Sequence, residues 1–184
     1  MMPADAPIYF HEDLYCQVEL LPRSAWDFCA RQLGVIEDFA KAHRVGTGYT
    51  DIYLRPDAPT TLFDLKLRAD DFDRLLVARL PRHRSVTTGY STHVETALGT
   101  VGYGQQSCCL LVEADQEGIV KAAFLKLQHL HPGELEAMHG ALSELARTGD
   151  LLLVDWEGGV LLALTDSAAL HGYLALALVQ ERST

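Results

Sequence analysis

The stretch "LYCQVELL" alternates apolar and polar residues without a break. Leu14, Cys16, Val18 and Leu20 fall on one side and Tyr15, Gln17 and Glu19 on the other, which predicts a half-buried strand. "IYF" predicts a shorter strand before it, with His11, Glu12 and Asp13 as a polar turn. Pro22 stops the strand. Ser24 then opens a helix, with Asp27 at the spacing of a capping box. Ala25, Cys29, Leu33, Ile36 and Ala40 recur at helical spacing, flanked by Phe28, Val35 and Phe39, and give a face about five turns long. His43 and Arg44 complement the negative end of its dipole. Gly46 and Gly48 break the chain, "YTDIYL" predicts a strand, and "RPDAPTT" a loop. A second helix is expected from Asp70, burying Phe72, Leu75, Leu76 and Leu80 and ending at Pro81.

The second half is more regular. "SCCLLVEA" and "GIVKAAFLKL" read as strands joined at Asp115-Gln116-Glu117-Gly118. Pro132 suits a first helical position, Leu135, Met138, Leu142 and Leu145 line one face, and Gly149 closes the helix. "LLLVDW" and "VLLAL" form a second hairpin around Glu157-Gly158-Gly159. Asp166 or Ser167 then caps a helix carrying Leu170, Tyr173, Leu174, Ala177 and Leu178. The order is ββαββα. Hairpins require antiparallel pairing, so the expected fold is α+β, a mainly antiparallel sheet with four helices packed on one face. The 184 residues suffice for a single domain, divisible into halves 1–97 and 98–184.

Charge changes this picture more than composition does. The net charge is −10, and its distribution is uneven: residues 93–184 hold 4 Lys/Arg against 12 Asp/Glu, a balance of −8. Such a surface repels phosphate backbones, so nucleic acid is not an expected partner, whereas a basic protein is. No apolar run reaches the roughly 18 residues of a membrane helix. The N-terminus lacks the basic and apolar segments of a secretory leader, so the expectation is a cytoplasmic protein without membrane contact. Cys16, Cys29, Cys108 and Cys109 form no C-x-x-C pair and read as buried thiols in a reducing compartment.

Candidate chemistry is sparse. "HRVGTGYT" and "HRSVTTGYS" repeat a phrase, and both are expected between a helix and a strand, where the basic pair, the glycine and the tyrosine are local grammar. A second reading gathers Arg44, Thr47, Arg84 and Thr88, with Gly102 of a mobile glycine loop over residues 99–104, around an anionic ligand. That loop is neither a dinucleotide fingerprint nor a P-loop. His129 and His131, with His139 as a third nitrogen, have partial ligand spacing for a metal, but histidines at the boundary of a helix face read first as polar surface. No G-x-S-x-G elbow, activated cysteine or buried carboxylate pair suggests catalysis, and no cofactor is expected.

"LLLVDWEGGVLLALTDSAALHGYL", residues 151–174, resembles the closing hairpin and helix of small acidic bacterial immunity proteins that neutralise a toxin. The resemblance rests on Asp155-Trp156, the helix start Thr165-Asp166 and the closing Tyr173-Leu174. It implies a non-enzymatic acidic module, an immunity or inhibitor protein, that docks a basic partner. Trp156 at this turn, flanked by Asp155 and Glu157, either folds back over the sheet or stands exposed as the anchor of such an interface.

Overall fold

The structure, a computed structural model, describes residues 6–90, 92–128 and 130–179. Four helices and twelve strands lie among them, and the fold is α+β. In chain order the elements are β1 (Ile8–His11), β2 (Val18–Pro22), α1 (Trp26–His43), β3 (Arg44–Val45), β4 (Gly48–Tyr49), α2 (Ala69–Leu76), β5 (Arg82–His83) and β6 (Val86–Tyr90). Then follow β7 (His93–Thr96), β8 (Thr100–Gly104), β9 (Cys108–Ala114), β10 (Val120–Leu127), α3 (Pro132–Leu145), β11 (Leu151–Asp155), β12 (Val160–Ala163) and α4 (Ser167–Val179). Single 3-10 turns cover Glu12–Leu14, Arg23–Ala25 and Leu62–Leu65. No helix among the described residues is long and apolar enough to cross a membrane.

The centre is a seven-stranded sheet in the order β12-β11-β2-β10-β9-β8-β5, antiparallel at every step. A three-stranded sheet, β1-β6-β7, joins a parallel pair to an antiparallel one. A small ladder of β3 with β4 stands apart from both. Because β2 lies between β11 and β10, the two halves of the chain share one sheet.

Both faces of that sheet are covered, where the pattern predicted helices on one. On one face Leu20, Leu110, Leu125 and Leu153 pack against Phe72 and Leu76 of α2, Met138 and Leu142 of α3, and Leu170 and Leu174 of α4. On the other, Leu21, Leu152 and Val154 meet Cys29 of α1, while Cys109, Leu111 and Phe124 meet Ile8, Phe10 and Val86 of the smaller sheet. The inner strands explain this. Cys108–Val112 is buried at every position and so has no polar side to turn to water. Each buried aliphatic side chain contributes about 1.5–3 kcal/mol, so uncovering Leu21, Leu152 and Val154 would forfeit an amount comparable with the net stability of a domain.

Several local expectations change for identifiable reasons. β2 starts only at Val18, because Cys16 takes a left-handed conformation at φ 54°. The cap predicted for α1 is absent: the helix is entered through the 3-10 turn, and Ala25 at the cap offers no side-chain acceptor. Of "YTDIYL" only Tyr49 joins a strand, with Gly48 before it. The glycine-rich stretch is not a mobile loop but β8, hydrogen-bonded to β9 and β5. Its Gly102 is needed for closeness: a Cβ there would stand 2.8 Å from Ile8 Cδ1, where the two sheets meet.

Gly104 and Gly34 are expected to respond oppositely to alanine. Gly104 has φ +128°, and a Cβ there would collide with the Cys108 carbonyl and stand 2.9 Å from Cys109 Cα. Gly104→Ala should destabilise by about 1–3 kcal/mol. Gly34 lies inside α1 with nothing within 4 Å of its missing Cβ, so Gly34→Ala should stabilise by about 0.5–1 kcal/mol. Urea denaturation midpoints test both. A stabilising Gly104→Ala would contradict the packing of β8 on β9.

Candidate functional site

Alternation along β11 governs the site. Leu152 and Val154 point under α1, and the same parity carries Trp156 beneath that helix, where it is 5% exposed. Of the two readings of Trp156, the one that folds it back over the sheet holds, and it is not an exposed anchor. Its backbone N–H donates to Gln17 O at 3.0 Å, and its indole Nε1–H donates to Glu19 Oε1 at 2.7 Å. Asp155, of the other parity, faces α4. Its Oδ2 accepts from Tyr173 Oη at 2.9 Å and its Oδ1 from the Gly158 N–H at 2.7 Å, so this carboxylate holds the turn and docks the helix. Glu157, at the tip, is exposed and pairs with no cation among the described residues.

Glu19 is the least expected member. It is a carboxylate inside the sheet, on β2, buried against Trp156. Arg55 reaches it from the irregular segment after β4, with Nη2 3.0 Å from Glu19 Oε1 and the guanidinium 4.2 Å from the centre of the Trp156 ring. Burial raises the Glu19 carboxyl above its ordinary value, while Arg55 and the indole N–H pull it down. Sequence alternation does place Glu19 and Cys16 on opposite sides. The polar side, however, is shielded by α1 and by Arg55, 36 residues further along the chain, and nothing local signals that contact.

Two concave surfaces flank Glu157. A cleft of about 430 Å³ lies on the α1 side, lined by Tyr15, Gln17, Ile36, Leu54, Arg55 and Glu157. A groove of about 460 Å³ lies on the α4 side, with Leu14, Val18, Leu127, Val160 and Leu176 as its apolar lining and Asp155 and Glu157 at its polar edge. Gln17 and Glu157 belong to both, so the two hollows adjoin at one end of the sheet. Among the described residues the groove lining contains no lysine or arginine, and the cleft's one cation, Arg55, is already paired with Glu19.

Five other acids of the second half serve the fold one at a time. Glu113 accepts from Tyr15 Oη and pairs with Lys121, and Asp115 closes its hairpin turn. Glu134 completes the capping box of α3, Glu144 meets Arg79 and Arg147, and Asp166 caps α4. Part of the balance of −8 is thus taken up by structural duties, while Glu117 and Asp150 are exposed without a side-chain partner among the described residues.

The residues of the anionic-ligand reading are set apart. Arg44 and Thr47 belong to the β3–β4 hairpin, which is hydrogen-bonded to neither larger sheet, whereas Arg84 lies between β5 and β6 and Thr88 within β6. Gly102 is buried against Ile8. The two Thr-Gly-Tyr segments occupy different sheets.

The histidines also separate. His129 lies outside the described residues. His131 caps α3, its N–H donating to Glu134 Oε2 at 3.0 Å. His139 faces α4 instead, with Nε2 3.1 Å from Ser167 Oγ and its ring 5.4 Å from that of His171, which approaches Glu136 at 3.4 Å. The signal for this polar clasp was Ser167 and His171 at i, i+4 on one helix opposite Glu136 and His139 at i, i+3 on the other. Among the described residues no group of three His, Cys, Asp or Glu side chains is placed to share a metal ion. All four cysteines are free thiols, and burial pushes Cys29 up to about 11 and Cys109 up to about 12, far from nucleophilic thiolates.

No protein-family model, curated protein or solved structure matches the chain.

Arg55→Met removes the cation from a buried carboxylate and should cost about 3 kcal/mol at neutral pH. The deficit should shrink on acidification. The Glu19 pKa is raised in the folded state, so the fold takes up a proton before the unfolded chain does, and a neutral carboxyl needs no cation. The gain is complete once the pH falls below the ordinary value of 4.5. Denaturation of both proteins across that range measures it. A deficit independent of pH would rule out an ionised Glu19 as its cause.

Proposed function

We propose that the chain is a non-enzymatic binding module, of immunity or inhibitor type, that docks a basic protein at the end of the sheet around Glu157. The observation that carries this reading is the pair of adjoining hollows sharing Glu157, whose linings, among the described residues, offer apolar surface and carboxylate but no unpaired cation. A partner fits when it presents apolar side chains beside lysine or arginine: the apolar groups leave water in the groove, and the charges steer the encounter. Trp156, largely buried, contributes only to the floor of the cleft. Asp155 orients the turn, and Glu157 supplies the accessible charge. The exposed Glu12 and Asp13 extend the acidic character, since they share a helical turn with Leu14 of the groove. Four free thiols are consistent with a reducing compartment such as the cytoplasm.

Affinity capture from the producing cells tests the reading, with partners identified by mass spectrometry. Glu157→Lys and Leu176→Asp both alter exposed positions, so the fold should persist. The wild-type chain is expected to retain a basic protein at low salt and release it at high salt. Each variant should bind it about tenfold or more weakly. Recovery of no specific partner, or of one held equally by both variants, would overturn the proposal.

A further inference from the structure

Residues 51–57 border the α1-side cleft and are anomalous. Ile52 and Leu54 are 81% and 85% exposed, while Tyr53 and Arg55 are turned inward. Burial with period two indicates extended backbone. Yet residues 51–60 make no backbone–backbone hydrogen bond within the described structure. The segment is nevertheless held. Tyr53 Oη donates to Gln32 Oε1 at 2.8 Å, its ring lies 5.3 Å from that of Phe39, and Arg55 is anchored on Glu19 and Trp156. A strand-like segment is thus clamped in place without a neighbouring strand.

Its two edges differ. In extended backbone, alternate residues turn their N–H and C=O groups to the same side. On one edge the Ile52 N–H is taken by Asp51 Oδ1 at 2.8 Å, and Pro56 has no N–H to give. On the other edge stand Tyr53 and Arg55, whose N–H groups have no hydrogen-bond partner among the described residues. Only this second edge offers an intact run of donors and acceptors.

We propose that the Tyr53/Arg55 edge is a strand-addition site for the basic partner, which supplies an extended segment with apolar side chains at alternate positions and lysine or arginine at either end. The inference rests on the docking reading above and names its mode of contact. Exposed Asp51 and Asp57 bracket Ile52 and Leu54, and Glu157 lines the cleft beside Leu54. A second copy of this chain is the poorer occupant. Antiparallel pairing of two such segments about Leu54 sets Asp51 against Asp57, and each chain carries a charge of −10.

The test uses the full chain, labelled with nitrogen-15, and a capped synthetic peptide of alternating valine and threonine with lysine at both ends. Saturable amide shifts centred on Tyr53 and Arg55, with slowed hydrogen exchange at those two amides, are expected at millimolar peptide. N-methylation of the peptide at alternate residues on its pairing edge should abolish them. Asp51→Lys with Asp57→Lys should weaken binding about tenfold. Absence of shifts at these amides, shifts confined to the exposed edge strand β7, or concentration-dependent dimerisation without peptide would each overturn strand addition. If the peptide fails while capture stays sensitive to Glu157→Lys, strand addition falls and the docking reading stands. If both fail, both fall.

Discussion

Leu21, Leu152 and Val154 on one face of the large sheet, and Leu20, Leu151 and Leu153 on the other, are all removed from water. The rest of the structure follows from covering the two faces at once. Three helices suffice for one face. The other is divided, with α1 over β2, β11 and β12, and the smaller sheet over β9 and β10. The junctions of these coverings need small residues or polar plugs. Gly102 admits Ile8 where the sheets touch. Along the outer edge of β1, Gln106 makes two hydrogen bonds to the Tyr9 backbone and the buried Lys126 ammonium donates to the Tyr9 carbonyl. That edge is therefore closed to further pairing.

Covering also accounts for the buried charge. Glu19 occupies the polar parity of a strand that would be solvated in a half-buried sheet. Under α1 it must find partners, and it finds the indole N–H and a guanidinium. This arrangement links fold to surface. Arg55 neutralises Glu19 from below and, through the backbone, fixes Leu54 above it. A residue required by the core thereby positions the apolar side chains at the rim of the cleft. At that end apolar side chains such as Leu54 and Leu176 stand beside the Glu157 carboxylate.

The carboxylates of the second half show why a net charge is a poor guide to a surface. Most of them close turns, cap helices or pair with arginine and lysine, duties that local geometry assigns one residue at a time. Glu157, like the exposed Glu117 and Asp150, has no such partner among the described residues, and what sets it apart is its position between the two hollows.

The sequence by itself determined the run from β9 to α4 and its turns, though not β8 before it, because each element of that run carries a short-range signal: Asp115 to Gly118 in one hairpin, Pro132 opening α3, Asp166 capping α4. It also marked Glu157 as a turn residue. Tertiary structure alone decided that Trp156 is inside, that Glu19 is buried, and that Gly102 lies in a strand, since each depends on what covers a face. Alternation states which residues share a side. It does not state whether that side meets water, and the covering elements, α1, β1 and Arg55, come from distant parts of the chain.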